Sequence, residues 1–212
     1  MKILIIGSTG FVGSKIVIEA LSRGHQITAI ARNPEKLPVS PLLNTINVDI
    51  FQTEALAQAI AGHDAVISAY NPGWGNPDIY NLFLKGSSSI QEAVKKSGVR
   101  RLLIIGGAGS LFIGGKQIVD LEGFPAEIRP GATAAREYLN IIKTEQDLDW
   151  TVLSPPGILE PGERTGKFRI GLDEPVRDEQ GKSAISIEDL VVALLDELEK
   201  GNHIRQRFTV AY

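Results

Sequence analysis

The sequence has no cysteine, a single methionine and few aromatic residues, 6% of 212 positions. Without cysteine there are no disulfides, no thiolate-held zinc and no thiol nucleophile. Neither sign of charge dominates: Lys+Arg total 22 against Asp+Glu 25, a formal net charge of -3. A nucleic-acid-binding domain usually shows a basic face, so no nucleic-acid partner is expected. No apolar run approaches the roughly 20 residues that cross a bilayer, so no membrane partner is expected either. The opening run MKILII is cut at Gly7, too early for the apolar core of a secretion signal. His25, His63 and His203 have no partner at metal-ligand spacing, and no metal site is expected. These exclusions leave a cytoplasmic globular protein, monomer or homodimer.

Apolar, strand-like runs alternate with segments of helical period. KILII (2–6), QITAIA (26–31), LNTINV (43–48), DAVISAY (64–70), RLLIIGG (101–107) and DWTVLSP (149–155) read as strands, and QRFTVAY (206–212) as a last one. Between them, 11–23, 53–62, 78–98, 131–146 and 186–200 read as helices. Thr53 reads as an N-cap and Gly62 as a stop; Ser186 with Asp189 resembles a capping box carrying the shorter acid. Strands alternating with helices imply a parallel sheet joined by right-handed crossovers. Nearly unbroken apolar strands suit a sheet covered on both faces. The expected fold is one doubly wound, Rossmann-type α/β domain over 1–212. Its strand order is 3-2-1-4-5-6 with a seventh strand at one edge, and a small flap around 157–185 lies over the substrate side.

The stretch GSTGFVG (7–13) stands between the first strand and the first helix. Glycine costs about 0.5–1 kcal/mol relative to alanine inside a regular element, so three of them there serve the backbone. Gly7 permits a tight turn, Gly10 lets a pyrophosphate approach the main chain, and Gly13 lets the helix pack on the sheet. Ser8 and Thr9 could donate to phosphate or cap the helix, and Phe11 and Val12 lie in the same loop. The helix N-terminus offers unpaired N–H groups and a positive dipole end. This is the logic of a dinucleotide site, though the spacing is Gly-x-x-Gly-x-x-Gly. At the end of the second strand an acid would hold the ribose hydroxyls of NAD. The chain has Ala31 and then Arg32, whose guanidinium suits the 2′-phosphate of NADP. NADP(H) is therefore expected over NAD(H).

With these residues in view, KILIIGSTGFVGSKIVIEALSRGHQITAIARNPEKL resembles the start of the atypical short-chain dehydrogenase/reductases of the NmrA-like, NAD(P)-binding group. DLDWTVLSPPGILEPGERTGKFRIG and SAISIEDLVVALLDELE resemble that group's second half. The nearest subgroup is that of the proposed NADH-flavin reductases and biliverdin-IXβ reductase-like proteins. The resemblance implies that Asp49 and Ile50 sit near the adenine, with a turn-forming aspartate the alternative for Asp49. It implies that Ala69, Tyr70 and Asn71 line the cofactor, with plain packing the alternative for Tyr70. It places Gly106 and Gly107 beside the nicotinamide ribose, and Pro155, Pro156 and Gly157 beside the nicotinamide.

Many members of the wider family use a Tyr-x-x-x-Lys pair as acid/base. Here Tyr138 is followed by Ile142, and the nearest lysine is Lys143. Five residues turn a helix by about 500°, which puts that lysine roughly 140° from the tyrosine. Tyr138 therefore reads as core packing rather than as a catalyst, and Ser110 could serve only if its loop bends back. Hydride delivery to a flavin or quinone survives this loss, because the protein then mainly aligns two rings. Trp74 in YNPGWGNPD could stack on such an acceptor, and Arg164 could attract a flavin phosphate, although a solvated loop charge is the blander reading. The expected function is an NADPH-dependent oxidoreductase acting on a planar acceptor. The alternatives are a non-catalytic NADP-binding redox sensor and a sugar-nucleotide epimerase or dehydratase.

Overall fold

The computed structural model describes all 212 residues. In chain order the elements are β1 (Lys2–Ile6), α1 (Gly13–Ser22), β2 (Gln26–Ile30), β3 (Leu43–Ile46), α2 (Thr53–Ile60), β4 (Ala65–Ser68), α3 (Ile79–Ser97), β5 (Arg101–Ile105), β6 (Phe112–Ile113), β7 (Lys116–Gln117), α4 (Arg129–Ile142), β8 (Asp149–Ser154), β9 (Ile158–Glu160), β10 (Arg169–Gly171), β11 (Ala184–Ser186), α5 (Ile187–Lys200) and β12 (Gln206–Ala211). Eight strands form one sheet in the order β3-β2-β1-β4-β5-β8-β12-β10, parallel except where β10 meets β12. This is the doubly wound Rossmann arrangement. A cluster of 23 buried apolar residues fills the space under α1 and α5, and one of 21 fills that under α2, α3 and α4. The near-equal clusters explain why β1 and β4 are apolar at successive positions: neither face meets water.

The last strand is not at the edge. β12 lies between β8 and β10, with Ile170 opposite Val210. Phe208, Val210 and Ala211 are fully buried, and so apolar a strand left at an edge would invite pairing with other chains. Three-residue β10, with Arg169 and Gly171, is the blunter edge. The segment 157–185 is correspondingly sewn down rather than left as a free flap. β9 pairs in parallel with β11. Thr165 Oγ1 and the Gly166 N–H donate to the buried Asp189 carboxylate at 2.5 and 2.7 Å. β10 then joins the sheet.

Several helix ends differ from expectation for local reasons. Gln52 precedes α2, and Thr53 is its first residue, with its hydroxyl 2.9 Å from Ser89 Oγ on α3. α1 opens at Gly13, after the glycine turn. α4 starts two residues early because Pro130 suits a first turn, where its missing N–H costs nothing. At α5, Ser186 Oγ accepts from the Asp189 N–H at 3.0 Å, half of the capping box. The returning half comes from elsewhere: the Tyr212 hydroxyl accepts the Ser186 N–H at 3.2 Å, and Asp189 turns to the Thr165 hydroxyl and the Gly166 N–H.

α4 stops at Ile142 as the chain folds Glu145 inward, its side chain 6% exposed. Burial pushes this carboxyl up, but the Asp147 N–H at 2.7 Å, the Gln91 amide at 2.8 Å and Lys95 at 3.1 Å outweigh it and hold the pKa at about 2. A depressed acid stabilises the fold above its unfolded pKa and loses that contribution as pH falls through the folded value. Glu145→Gln should therefore cost roughly 1–2 kcal/mol at pH 7, allowing for screening at the half-exposed Lys95. The gap from wild type should close between about pH 5 and pH 2, read as denaturation midpoints across pH. A gap independent of pH would contradict this account.

Candidate functional site

The glycine turn joins β1 to α1 by close backbone contacts. Gly7 has φ +78°, and a Cβ there would stand 2.4 Å from the Ala69 carbonyl oxygen at the end of β4. A Cβ at Gly13 would stand 2.0 Å from the Gly7 carbonyl oxygen. Neither position tolerates a side chain. The Gly10 N–H donates to that same carbonyl at 3.0 Å, and Gly10 itself is exposed at the crest of the turn.

The start of α1 is left open. Val12 precedes it with no side-chain cap, and its first turn holds no acid. Ser14 N–H bonds to Gly10 O, whereas the N–H groups of Phe11, Val12 and Gly13 have no backbone acceptor. α5 shows the contrast, with Ser186 as cap and Glu188 and Asp189 in its first turn. Three free donors at a positive helix end, above a glycine that presents no side chain, form a cradle for phosphate oxygens. Phe11 projects, 59% exposed, and Val12 packs on the core beneath. Ser8 does not take part as expected. It is fully buried, and its hydroxyl donates to Ile30 O at 2.8 Å, tying the turn to β2. Thr9 is half-buried beside it.

On the β2–β3 side, Arg32 is exposed directly after buried Ala31. It lies close enough to Tyr70, together with Asp49, to act on that hydroxyl. Asp49 takes the turn-forming role: its Oδ1 accepts the Phe51 N–H at 3.0 Å. Ile50 is half-buried, and its carbonyl accepts from Ser89 Oγ at 2.6 Å. Ala69 and Tyr70 are half-buried and Asn71 exposed at the end of β4, where Asn71 Oδ1 accepts the Gly73 N–H at 2.7 Å. Tyr70 packs on Phe83 and donates to Leu82 O at 3.0 Å, and burial pushes its pKa up to about 12. Its ring is also why Gly86 stands in α3, since a Cβ there would meet the ring at 2.4 Å. The sequence reading missed Gly86.

At the ends of β5 and β8, Gly106 and Gly107 let the chain pass between Val152 and Ala135. Pro155 is half-buried, Pro156 buried and Gly157 exposed. Neither weak catalytic candidate is free. Tyr138 is 3% exposed, edge-on to Phe83, and burial pushes its hydroxyl well above the usual phenolic range. Ser110, 1% exposed, donates to Gly107 O at 2.8 Å and sits 3.1 Å from Ser154 Oγ. Behind it lies a residue the sequence did not flag. Arg207 of β12 is buried, reaches Ser110 O at 3.2 Å and pairs with Asp173. An isolated arginine in a strand gives no periodic signal, and its acid lies 34 residues away. Arg164 is also spoken for, its guanidinium forked onto Glu19 of α1 at 2.8 and 2.8 Å. Trp74 is 55% exposed, and a Cβ on Gly131 would meet its ring at 2.8 Å, so the indole rests on the first turn of α4.

A polar hollow of about 340 Å³ lies elsewhere, at the amino ends of β1 and β2, lined by Lys2, Gln26, Thr28 and His63 among others. It faces away from the glycine turn. Ligands of open α/β sheets bind at the carboxyl ends of the strands, where the open helix terminus lies, so that end is the candidate site.

The sequence from 7 to 198 matches a family model described as NAD(P)H-binding. The chain is 36% identical over 214 residues to the uncharacterised protein YwnB of Bacillus subtilis, covering 99% of this chain and 98% of that one. A solved structure of a proposed epimerase from Bacteroides thetaiotaomicron is 42% identical, with a TM-score of 0.94 over 100% of this chain and 96% of that one. A proposed NADH-flavin reductase from Streptococcus pneumoniae is 35% identical, with a TM-score of 0.89 over 100% and 99%. No helix is long and apolar enough to cross a membrane. Both the glycine geometry and the length of these matches lead to one assignment: the chain belongs to the NAD(P)H-binding family, with a fold that fits an atypical short-chain dehydrogenase/reductase.

Proposed function

We propose that the protein is an NADPH-dependent reductase that passes hydride to a planar acceptor such as a flavin or quinone. The observation that carries this reading is the uncapped start of α1 with an exposed Arg32 just past the end of β2, the strand beside β1. The Phe11, Val12 and Gly13 amides would hold the diphosphate, and Arg32 the 2′-phosphate. Gly106, Gly107 and Pro156 would border the nicotinamide. When bound, the reduced nicotinamide supplies a hydride; the acceptor takes it with one proton from water and leaves as the two-electron-reduced form. The chain's own part is alignment and exclusion of water.

The absence of a placed proton donor favours such an acceptor. An epimerase, as the Bacteroides relative is named, needs an acid/base at the reacting carbon. Tyr138 cannot supply one from the core, and the Ser110 hydroxyl is committed. The same burial favours one second reading, a non-catalytic NADP-binding redox sensor. Both readings expect a cytoplasmic chain, where the nucleotide pool turns over.

Two outcomes follow. By calorimetry, NADPH should bind more tightly than NADH, and Arg32→Ala should weaken NADPH roughly ten- to a hundredfold, since hydrogen bonds to charged groups contribute about 1.5–3 kcal/mol. NADH binding should barely change; tighter NADH than NADPH in the wild type would overturn the cofactor assignment. Tyr138→Phe should leave NADPH oxidation with a flavin or quinone within about twofold of wild type, read as loss of cofactor absorbance. A hundredfold loss would show that Tyr138 takes part in proton transfer after all. NADPH binding with no turnover of any flavin or quinone would favour the sensor.

A further inference from the structure

The guanidinium groups of the molecule divide by side. Arg32, on the adenine side, is exposed and engages no carboxylate. Those on the elements after β5 and β8, where an acceptor would lie, all donate within the chain, Arg129, Arg136 and Arg207 from half-buried or buried positions and Arg164, Arg169 and Arg177 from exposed ones. Arg129 donates to Val119 O and Phe124 O at 2.7 and 2.9 Å. Arg136 pairs with Asp120 at 2.9 Å. Arg164 is forked onto Glu19, and Arg207 onto Asp173. Arg169 donates to Arg177 O at 2.7 Å, and Arg177 to Gly181 O at 2.9 Å. Freeing Arg164 for a phosphate would strand the buried Glu19 carboxylate, which costs what the new contact returns. Arg136 keeps one buried N–H, at Nε, without an acceptor, a single donor rather than a phosphate fork. The lysines of this region, Lys116, Lys167 and Lys182, are exposed; hydrated charges on flexible stems are screened within about 8 Å at physiological salt.

What this side offers instead is apolar surface. Trp74 is half-exposed on Gly131, Ile128 at the entrance to α4 is 38% exposed, and Ile158 after the proline pair is 37% exposed. We infer that the acceptor is an uncharged planar molecule, a quinone or an unphosphorylated isoalloxazine such as riboflavin, stacked on Trp74, and not a flavin nucleotide. The inference rests on the hydride-transfer reading above and narrows its substrate class. Charge selection is placed wholly at the 2′-phosphate; flatness and apolarity select the acceptor.

Binding tests it independently of turnover. Trp150 is buried yet still open to energy transfer, so the share of quenching by an added acceptor that Trp74→Phe removes reports on Trp74. With saturating NADP⁺ present, riboflavin and a short-chain benzoquinone should quench. FMN should bind no more tightly than riboflavin, with a Kd that does not weaken between low and high salt. By calorimetry, Trp74→Ala should weaken riboflavin about two- to tenfold, the range of one aromatic stacking contact. FMN binding tenfold or more tighter than riboflavin, with the advantage lost in salt, would overturn the inference and leave hydride transfer standing. NADP⁺ binding with no quenching and no NADPH oxidation for riboflavin, benzoquinone or FMN would instead overturn the hydride reading, and the inference with it.

Discussion

The contact on which the structure depends is the seating of α1 against the turn that precedes it. Gly13 lies so near the Gly7 carbonyl, and Gly7 so near the Ala69 carbonyl, that neither position has room for a methyl group. That closeness sets three things together. It brings the helix down onto β1 and β2, it aims the first-turn amides out of the carboxyl end of the sheet, and it leaves them without internal partners. A cap or an acid in that first turn would satisfy the helix but fill the cradle. α5, which has no ligand to receive, has both. The difference between two helices of one protein thus separates a capped terminus from an open one.

The second organising feature is the internal commitment of charge on the acceptor side. Arg164, Arg207 and Asp189 spend their hydrogen bonds on holding 160–175 against α1, α5 and the loop after β5. This makes the region after β8 a fixed wall. A wall suits an enzyme that needs only to hold two flat rings in register, and it leaves little for recognising polar substituents. α4 turns its tyrosine stripe into the core against Phe83, so the surface it presents to the loop after β5 is made of Ala132 and Ala135.

The sheet, the order of its first six strands and the glycine turn were legible in the sequence because they depend on local patterns: apolar runs, helical period and a glycine spacing between them. Residues whose role depends on a distant partner were not. Ser8 looked like a phosphate donor because it sits beside Gly7, but its hydroxyl is claimed by Ile30, 22 residues away. Arg164 looked free because its loop is rich in charge, yet Glu19 lies 145 residues earlier. Arg207 gave no signal, since its partners Ser110 and Asp173 meet it only through sheet order. The edge strand was misjudged likewise, because three residues of β10 are too few to announce a strand. Tyr70 and Asp49 were balanced between site and scaffold in the sequence; the hydrogen bonds of both are scaffold bonds.

The central claim is that free amides at the start of α1 grip the diphosphate of a nicotinamide nucleotide. Backbone amide resonances followed during titration with NADP⁺ test it most directly. The account predicts that Phe11, Val12 and Gly13 show the largest downfield shifts, saturating together, while the first-turn amides of α5 stay still. Saturable binding that leaves those three resonances in place would contradict it.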